Sequence, residues 1–333
     1  MSSIRVPNPL DTAIAIFLAC LLPAMTACDA VPLSAGASAS TSPSTTAEQK
    51  TTARANDTYG PAQTLAHLKD PAITESSGIV ASRSNPGIYW THNDSGDGPF
   101  IYAFDERGSR KGVWRVTGAS ARDWEDIAAG PGPQGNAVYL YMGDIGDNNQ
   151  QRPEVTVYRI TEPVVTTADA VATKSKPRLT EPAEAFRLRY PDGKHDAEAL
   201  LVHPTTGNIY IITKVPFANP TVYEAAAPLS TTRTTTLTRL RQLNIPSLLG
   251  GIITGGDIAP DGRRVALCDY LQGYEIVLKD SRAGFDTIWT QPLTSFSLGE
   301  RKQGEAIGYS LDGKALLATS EGLNPPLIRV VRR

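Results

Sequence analysis

Acidic and hydroxyl side chains recur at the two ends of paired apolar runs in this chain. Ser77, Glu125, Glu198, Asp257 and Glu305 stand at the opening of one run each, and Asp94, Asp144, Lys214, Asp269 and Glu321 close the run that follows. Carboxylates gathered without counter-charge raise one another's pKa or recruit a cation. A hard divalent ion with about six to eight oxygen ligands meets that need, and calcium tolerates an irregular ring better than magnesium. Zinc is disfavoured because no His/Cys cluster converges. Ser77, Glu125, Glu198, Asp257 and Glu305 are therefore the candidate metal ligands, and a polar channel filled with water is the plainer alternative.

Around them stand groups suited to moving protons or holding an anion. Asp94 and Asp144 are candidate general bases, and Lys214 and Arg152 candidate clamps on an anionic substrate. His92, in Thr91-His92-Asn93-Asp94, and His195, beside Asp196, titrate near neutrality and could exchange protons, although a lone histidine is more often structural. No Gly-x-Ser-x-Gly elbow, P-loop or dinucleotide fingerprint occurs in a strand–helix context.

Short strands separated by Gly/Pro turns must position these groups, because no long helical periodicity is present after residue 64. Five related units emerge. They open at Ser76-Ser77-Gly78, Trp124-Glu125-Asp126, Ala197-Glu198-Ala199, Gly255-Gly256-Asp257 and Gly304-Glu305-Ala306. In each, a turn such as Pro260-Asp261-Gly262 leads back into a second apolar run. Two further strand-like segments follow in most units, including residues 285–291 in the fourth; residues 161–182 read as a surface loop. Four antiparallel strands per unit is the make-up of a propeller blade. The last unit lacks its outer strand, which residues 63–68 can supply, closing the ring between the chain's two ends. The expectation is an all-β, five-bladed propeller over residues 61–333; six blades or a β-sandwich with insertions are the alternatives. In a blade, the start of the innermost strand and the end of the second lie at one end, so the acids should collect at one mouth of the central channel.

Composition narrows the partners. Among 333 residues, 32 are basic and 34 acidic, a net charge of −2, which gives no basic face for nucleic acid. Residues 12–27 are apolar but short for a membrane span of about 20 residues, and suit the core of a signal peptide. Met25-Thr26-Ala27-Cys28 looks like a lipobox, which makes residues 1–27 a lipoprotein-type signal and Cys28 a lipidation site. Residues 28–60, rich in Ala, Ser and Thr, read as a tether. The chain is then exported and held by its lipid on the outer face of the cell membrane, with free secretion as the alternative, and a monomer is expected. Cys268, within an apolar run, reads as a buried, inert thiol.

Several motifs resemble two propeller groups: Glu75 to Asp94, Arg122 to Asp126, Tyr141 to Arg152, Asp196 to Leu201, and Gly304 to Ile307. One group is the secreted phytase-like propellers with esterase-like activity; the other is the calcium-activated nucleotidases, or soluble apyrases, which have five blades. In the nucleotidases one hydroxyl or Glu per blade holds a central calcium in the order Ser, Glu, Glu, Ser, Glu. The matching positions here read Ser77, Glu125, Glu198, Gly256 and Glu305. Gly256 has no side chain, so Thr254, Asp257, a backbone carbonyl or water would stand in. Asp94 matches that family's acid after the second strand of blade one, and its basic nucleotide-contacting residues have no clear counterpart. The resemblance implies a calcium-dependent hydrolase of phosphate esters or anhydrides, acting on a small anionic substrate. Lactone or carboxylic-ester hydrolysis, and a non-catalytic propeller binding a glycan, peptide or envelope partner, are the alternatives.

Overall fold

A computed structural model describes residues 58–333, apart from 136, 248 and 281. The signal segment, Cys20, Cys28 and most of the tether lie outside the described residues. Strands dominate, in five blade sheets and one small ribbon.

Blade 1 runs outward through Ser76–Ala81, Ile88–Asn93, Phe100–Asp105 and Arg110–Arg115. Blade 2 is built from Trp124–Gly130, Tyr139–Asp144, Val155–Thr161 and Glu184–Arg189. Blade 3 comprises Ala197–Val202, Ile209–Thr213, Thr221–Ala225 and Thr238–Gln242, and blade 4 Gly255–Ile258, Arg264–Cys268, Gln272–Val277 and Thr294–Ser297. Blade 5 takes Gly304–Tyr309, Ala315–Ser320 and Pro326–Val331, and Gln63–His67 from the other end of the chain pairs antiparallel with its third strand. The ring is thus closed by the N-terminal strand, as the sequence leads one to expect.

The strands read as continuous apolar runs because both faces of a blade are covered. Ile209 and Ile211 on the second strand of blade 3 join a core with Tyr141, Val157 and Phe186 of blade 2. Tyr210 and Ile212, alternating with them, join Ile258, Val265 and Leu267 of blade 4. Equivalent cores fill the remaining interfaces, including blade 5 to blade 1, where Leu317 and Leu327 meet Ile79 and Tyr102. Each blade is therefore a wedge between two neighbours.

Two segments depart from the sequence expectation. Residues 285–291 do not form the outer strand of blade 4: Phe285–Thr290 is a 3-10 helix, and Thr294–Ser297 is the strand. The hydroxyl of Thr287 donates to Gly284 O at 2.8 Å, a local bond that favours a turn, and Ile288 and Trp289 bury into the blade 3–4 core. Within residues 161–182, Arg178–Leu179 adds a short parallel fifth strand to blade 1, and Thr235–Thr236 does the same for blade 2. These additions cover two outer edges that would otherwise present unpaired backbone.

Candidate functional site

A repeated backbone irregularity delivers the ring residues to the mouth. In blade 1, Ser76 pairs with Asn93 and Gly78 with His92, leaving Ser77 as an extra residue between them. Glu125, Glu198 and Glu305 are the extra residues at the same place in blades 2, 3 and 5. A bulge re-aims its side chain out of the strict alternation of the strand. Blade 4 pairs without a break from Gly255 to Ile258. There Thr254, just ahead of the strand, is the counterpart of Ser77. The Ser77 hydroxyl donates to Glu125 O of the next blade at 2.7 Å, and the Thr254 hydroxyl to Gly304 O of the next blade at 2.9 Å.

Asp257 lies elsewhere. Its carboxylate accepts the Ile258 and Tyr309 amides, each at 2.8 Å. Tyr309 is four residues beyond Glu305 on one strand, about 13 Å down the channel at ~3.3 Å per residue. Burial pushes the Asp257 carboxyl up to about 6.

Carboxylates converge between blades 1 and 2. Ligand oxygens of Asp94, Asp123 and Glu125 all lie within 4.8 Å of one another, the sole such His/Cys/Asp/Glu group among the described residues. Gly146 closes the other side: a Cβ there would overlap Glu125 Oε1 and stand 2.6 Å from Asp123 Oδ2. Only a residue without a side chain lets the backbone come this near. Burial, and then the charges of Asp94, Glu198, Asp123 and Asp196, push the Glu125 carboxyl well above the usual carboxylate range. Three acid oxygens beside an open backbone cradle suit an oxygen-seeking ion such as calcium or magnesium.

The remaining mouth residues satisfy one another. Glu198 is ion-paired to Lys214, whose ammonium also donates to the Tyr270 hydroxyl at 2.9 Å. Burial still raises the Glu198 carboxyl despite Lys214. Gln303 donates to Glu305 at 2.9 Å, and Glu305 and Glu321 share a hydrogen bond. Burial sends the Glu305 carboxyl well up and the Glu321 carboxyl to about 7.

Asp144 and Arg152 form a buried pair at 2.8 Å rather than standing free as base and clamp. Asp144 also accepts the Asp123 amide at 3.1 Å, and Arg152 Nη1 donates to Gly146 O at 2.8 Å. Both therefore hold the loop that brings Gly146 and Asp123 against Glu125. His92 is fully buried beside Trp124, with its Nδ1 2.8 Å from Asn93 O. Desolvation lowers its pKa to about 4, which keeps it neutral within the blade interface. His195 is bonded to Asp192 and Tyr223 at 3.1 Å each.

Asp123, Asp196, Gly146 and Tyr270 are mouth residues that the sequence reading did not assign. A signal for the acids existed: Glu75, Asp123, Asp196 and Gln303 each stand two residues before a ring residue. Gly146 had none, because its role depends on a loop folding back across another strand. No protein-family profile matches this sequence, and no curated protein is detectably similar to it.

Proposed function

We propose that the protein is a divalent-cation-dependent hydrolase of phosphate esters or anhydrides, with calcium as the ion, acting at the acidic mouth. The observation that carries the reading is the Asp94, Asp123 and Glu125 oxygen cluster walled by Gly146. Buried carboxylates so close together are costly unless protonated or matched by a cation. Lys214 pairs with Glu198 at the same mouth. The resemblance of the chain's motifs to those of calcium-dependent propeller hydrolases points the same way.

Asp94, Asp123 and Glu125 would hold the ion, which when bound supplies positive charge to a phosphate and acidifies water. Asp94, half-buried at the edge of the trio, is placed to take a proton from attacking water. Lys214, held by Glu198 and Tyr270, would be the cation that meets the departing anionic group. Asp144 and Arg152 hold the Gly146 loop. The same reading keeps the protein outside the cytoplasm, tethered through Cys28, and palmitate labelling lost in Cys28→Ser checks that part.

The decisive experiment combines metal analysis of the purified protein with a phosphoester, nucleotide and lactone panel, with and without calcium. Turnover of a phosphate substrate that chelator abolishes, calcium restores and Glu125→Gln removes is the expected result. Bound calcium without turnover on any substrate would mark a binding propeller. Calcium-dependent lactone turnover alone would mark a carboxylic-ester hydrolase.

A further inference from the structure

Residues 162–183, inserted between the third and fourth strands of blade 2, run along the outer edge of blade 1. Trp90 Nε1 donates to Glu162 at 2.7 Å, and Val165 N donates to Asn85 Oδ1 at 2.8 Å, in the turn at the end of blade 1 away from the mouth. Along the edge, Arg178 and Leu179 pair with Trp114 and Arg115, and Arg178 Nε donates to Asp169 at 2.7 Å. At the mouth end, Thr173 and Lys176 close a hairpin by exchanging amide bonds of 3.2 and 3.0 Å. Lys174, at the tip of that hairpin, is ion-paired to Asp97 of blade 1. The insertion of one blade thus straps its neighbour from end to end.

Asp97 belongs to the loop Asp94-Ser95-Gly96-Asp97-Gly98-Pro99, whose first residue is a member of the carboxylate trio. Gly96 and Gly98, on either side of Asp97, have left-handed backbone, at φ 87° and 96°. Glycine gives up more conformational freedom on ordering than any other residue, and this loop offers no large apolar side chain to a core, so polar contacts must fix its path. The Asp94 amide donates to Glu75 O at 3.0 Å. The Asp97 side chain, only 7% exposed, accepts the Tyr102 hydroxyl of its own blade at 2.8 Å together with the Lys174 ammonium from the strap. Lys174 Nζ also lies 5.6 Å from the centre of the Phe100 ring, just past the loop. Beside this contact the hairpin stands off the blade over an open groove of about 560 Å³ lined by Pro71, Phe100, Arg110, Thr173 and Ser175. Lys174 therefore meets the loop through its charge rather than through a packed core.

We propose that Lys174 is a positioning residue for the ion at the mouth: by holding Asp97 it sets the path of the glycine-rich loop and keeps Asp94 against Asp123 and Glu125. This rests on the divalent-cation reading of the trio and adds the residue, on the insertion of another blade, that governs its affinity. A ligand fixed before the ion arrives binds it more tightly than one that must be ordered on binding. Lys174 acts through Asp97, three residues beyond Asp94 in the chain.

Calorimetric titration of the full chain with calcium tests the proposal, with terbium luminescence as a second readout. Lys174 is 39% exposed, so Lys174→Met, which keeps the stem and removes the charge, should fold. Its calcium Kd should rise about tenfold, the lower end of what losing a support outside the ligand set costs. Asp97→Asn should weaken binding likewise, and the double variant should bind no worse than the weaker single, because both break one contact. Arg189→Met, which removes an exposed ion pair to Glu154 on blade 2, should leave the Kd unchanged. Terbium occupies calcium's oxygen sites, and its luminescence lifetime shortens with each bound water. In Lys174→Met that lifetime should move toward the value in Asp94→Ala, a change that a contact serving only the fold would not produce. Calcium binding by the natural chain, with Kd and lifetime unchanged in Lys174→Met, overturns the positioning role and leaves the ion site standing. An equal rise of Kd in Arg189→Met also overturns it, since loss of positive charge anywhere would then suffice. A natural chain that binds no calcium overturns both.

Discussion

Asp126 Oδ2 accepts the Gly256 amide at 3.2 Å, a bond from blade 2 to blade 4 across the channel. The same oxygen accepts Leu200 N of blade 3 at 3.0 Å, and Oδ1 accepts Ile127 N at 2.8 Å. One fully buried side chain therefore ties three blades together immediately below the ring residue Glu125. Asp126→Ala should destabilise the protein by about 3 kcal/mol or more, since each buried donor left unpaired costs about 1–3 kcal/mol. Asn, which keeps a carbonyl acceptor, should cost less. Urea unfolding of both variants provides the comparison, and equal loss in the two would show that the cross-channel bonds are not the cause.

Gly146 lets the backbone meet the Glu125 carboxylate, so Gly146→Ala should remove cation binding while leaving the blade cores intact. In the natural chain, saturating calcium at about 100 times its Kd should add about 2.7 kcal/mol of stability. The variant should show no calcium-dependent rise in Tm. A full rise in the variant would place the ion away from the trio.

Lys214 is the cation paired to buried Glu198. Removing one partner of a buried pair leaves an uncompensated charge and costs about 3–5 kcal/mol, whereas replacing both is often close to neutral. Lys214→Met should thus be strongly destabilising at pH 8, and Lys214→Met with Glu198→Gln should recover most of the loss. The single variant should also suffer less at pH 5, where Glu198, already raised by burial, takes up a proton. Chemical denaturation of the singles and the double at both pH values completes the cycle.

His203 lies at the opposite end of blade 3 from the mouth. Its Nδ1 accepts the Thr205 and Thr206 amides at 3.3 and 3.2 Å, and its ring packs edge-on to Phe285 at 4.6 Å. Burial lowers its pKa, and the two amides require an unprotonated nitrogen. The unfolded chain binds the proton first as pH falls through about 6.5, so this contribution to stability is present above that pH and lost below it. His203→Asn keeps an acceptor but does not titrate. Its stability should therefore fall less than that of the natural chain between pH 7 and 5, as followed by unfolding at each pH.

The repeat of turn, paired apolar runs and opening acid carried the five-bladed ring and the convergence of Glu125 and Glu198. Those features are local and periodic, so they survive in a linear reading. The 3-10 helix Phe285–Thr290 was not legible, because its apolar pattern over so few residues fits a strand equally well. The fourth ring position was misaligned for a related reason: Gly255-Gly256-Asp257 imitates the other openings, but only pairing shows that this blade lacks the bulge.

The sequence alone, through its patterning, determined a ring of wedges with both faces apolar and an acidic mouth. Tertiary structure decided which acids converge and which partner each one meets. Asp94 meets Asp123 and Glu125 from a neighbouring blade, while Asp144 is matched by Arg152, Glu198 by Lys214, and Asp257 by amides far down the channel. Spacing along the chain fixes the end of the blade at which a side chain emerges. The distance between two carboxylates on different blades depends on bulges, loop paths and ring closure, which exist only once every wedge is in place.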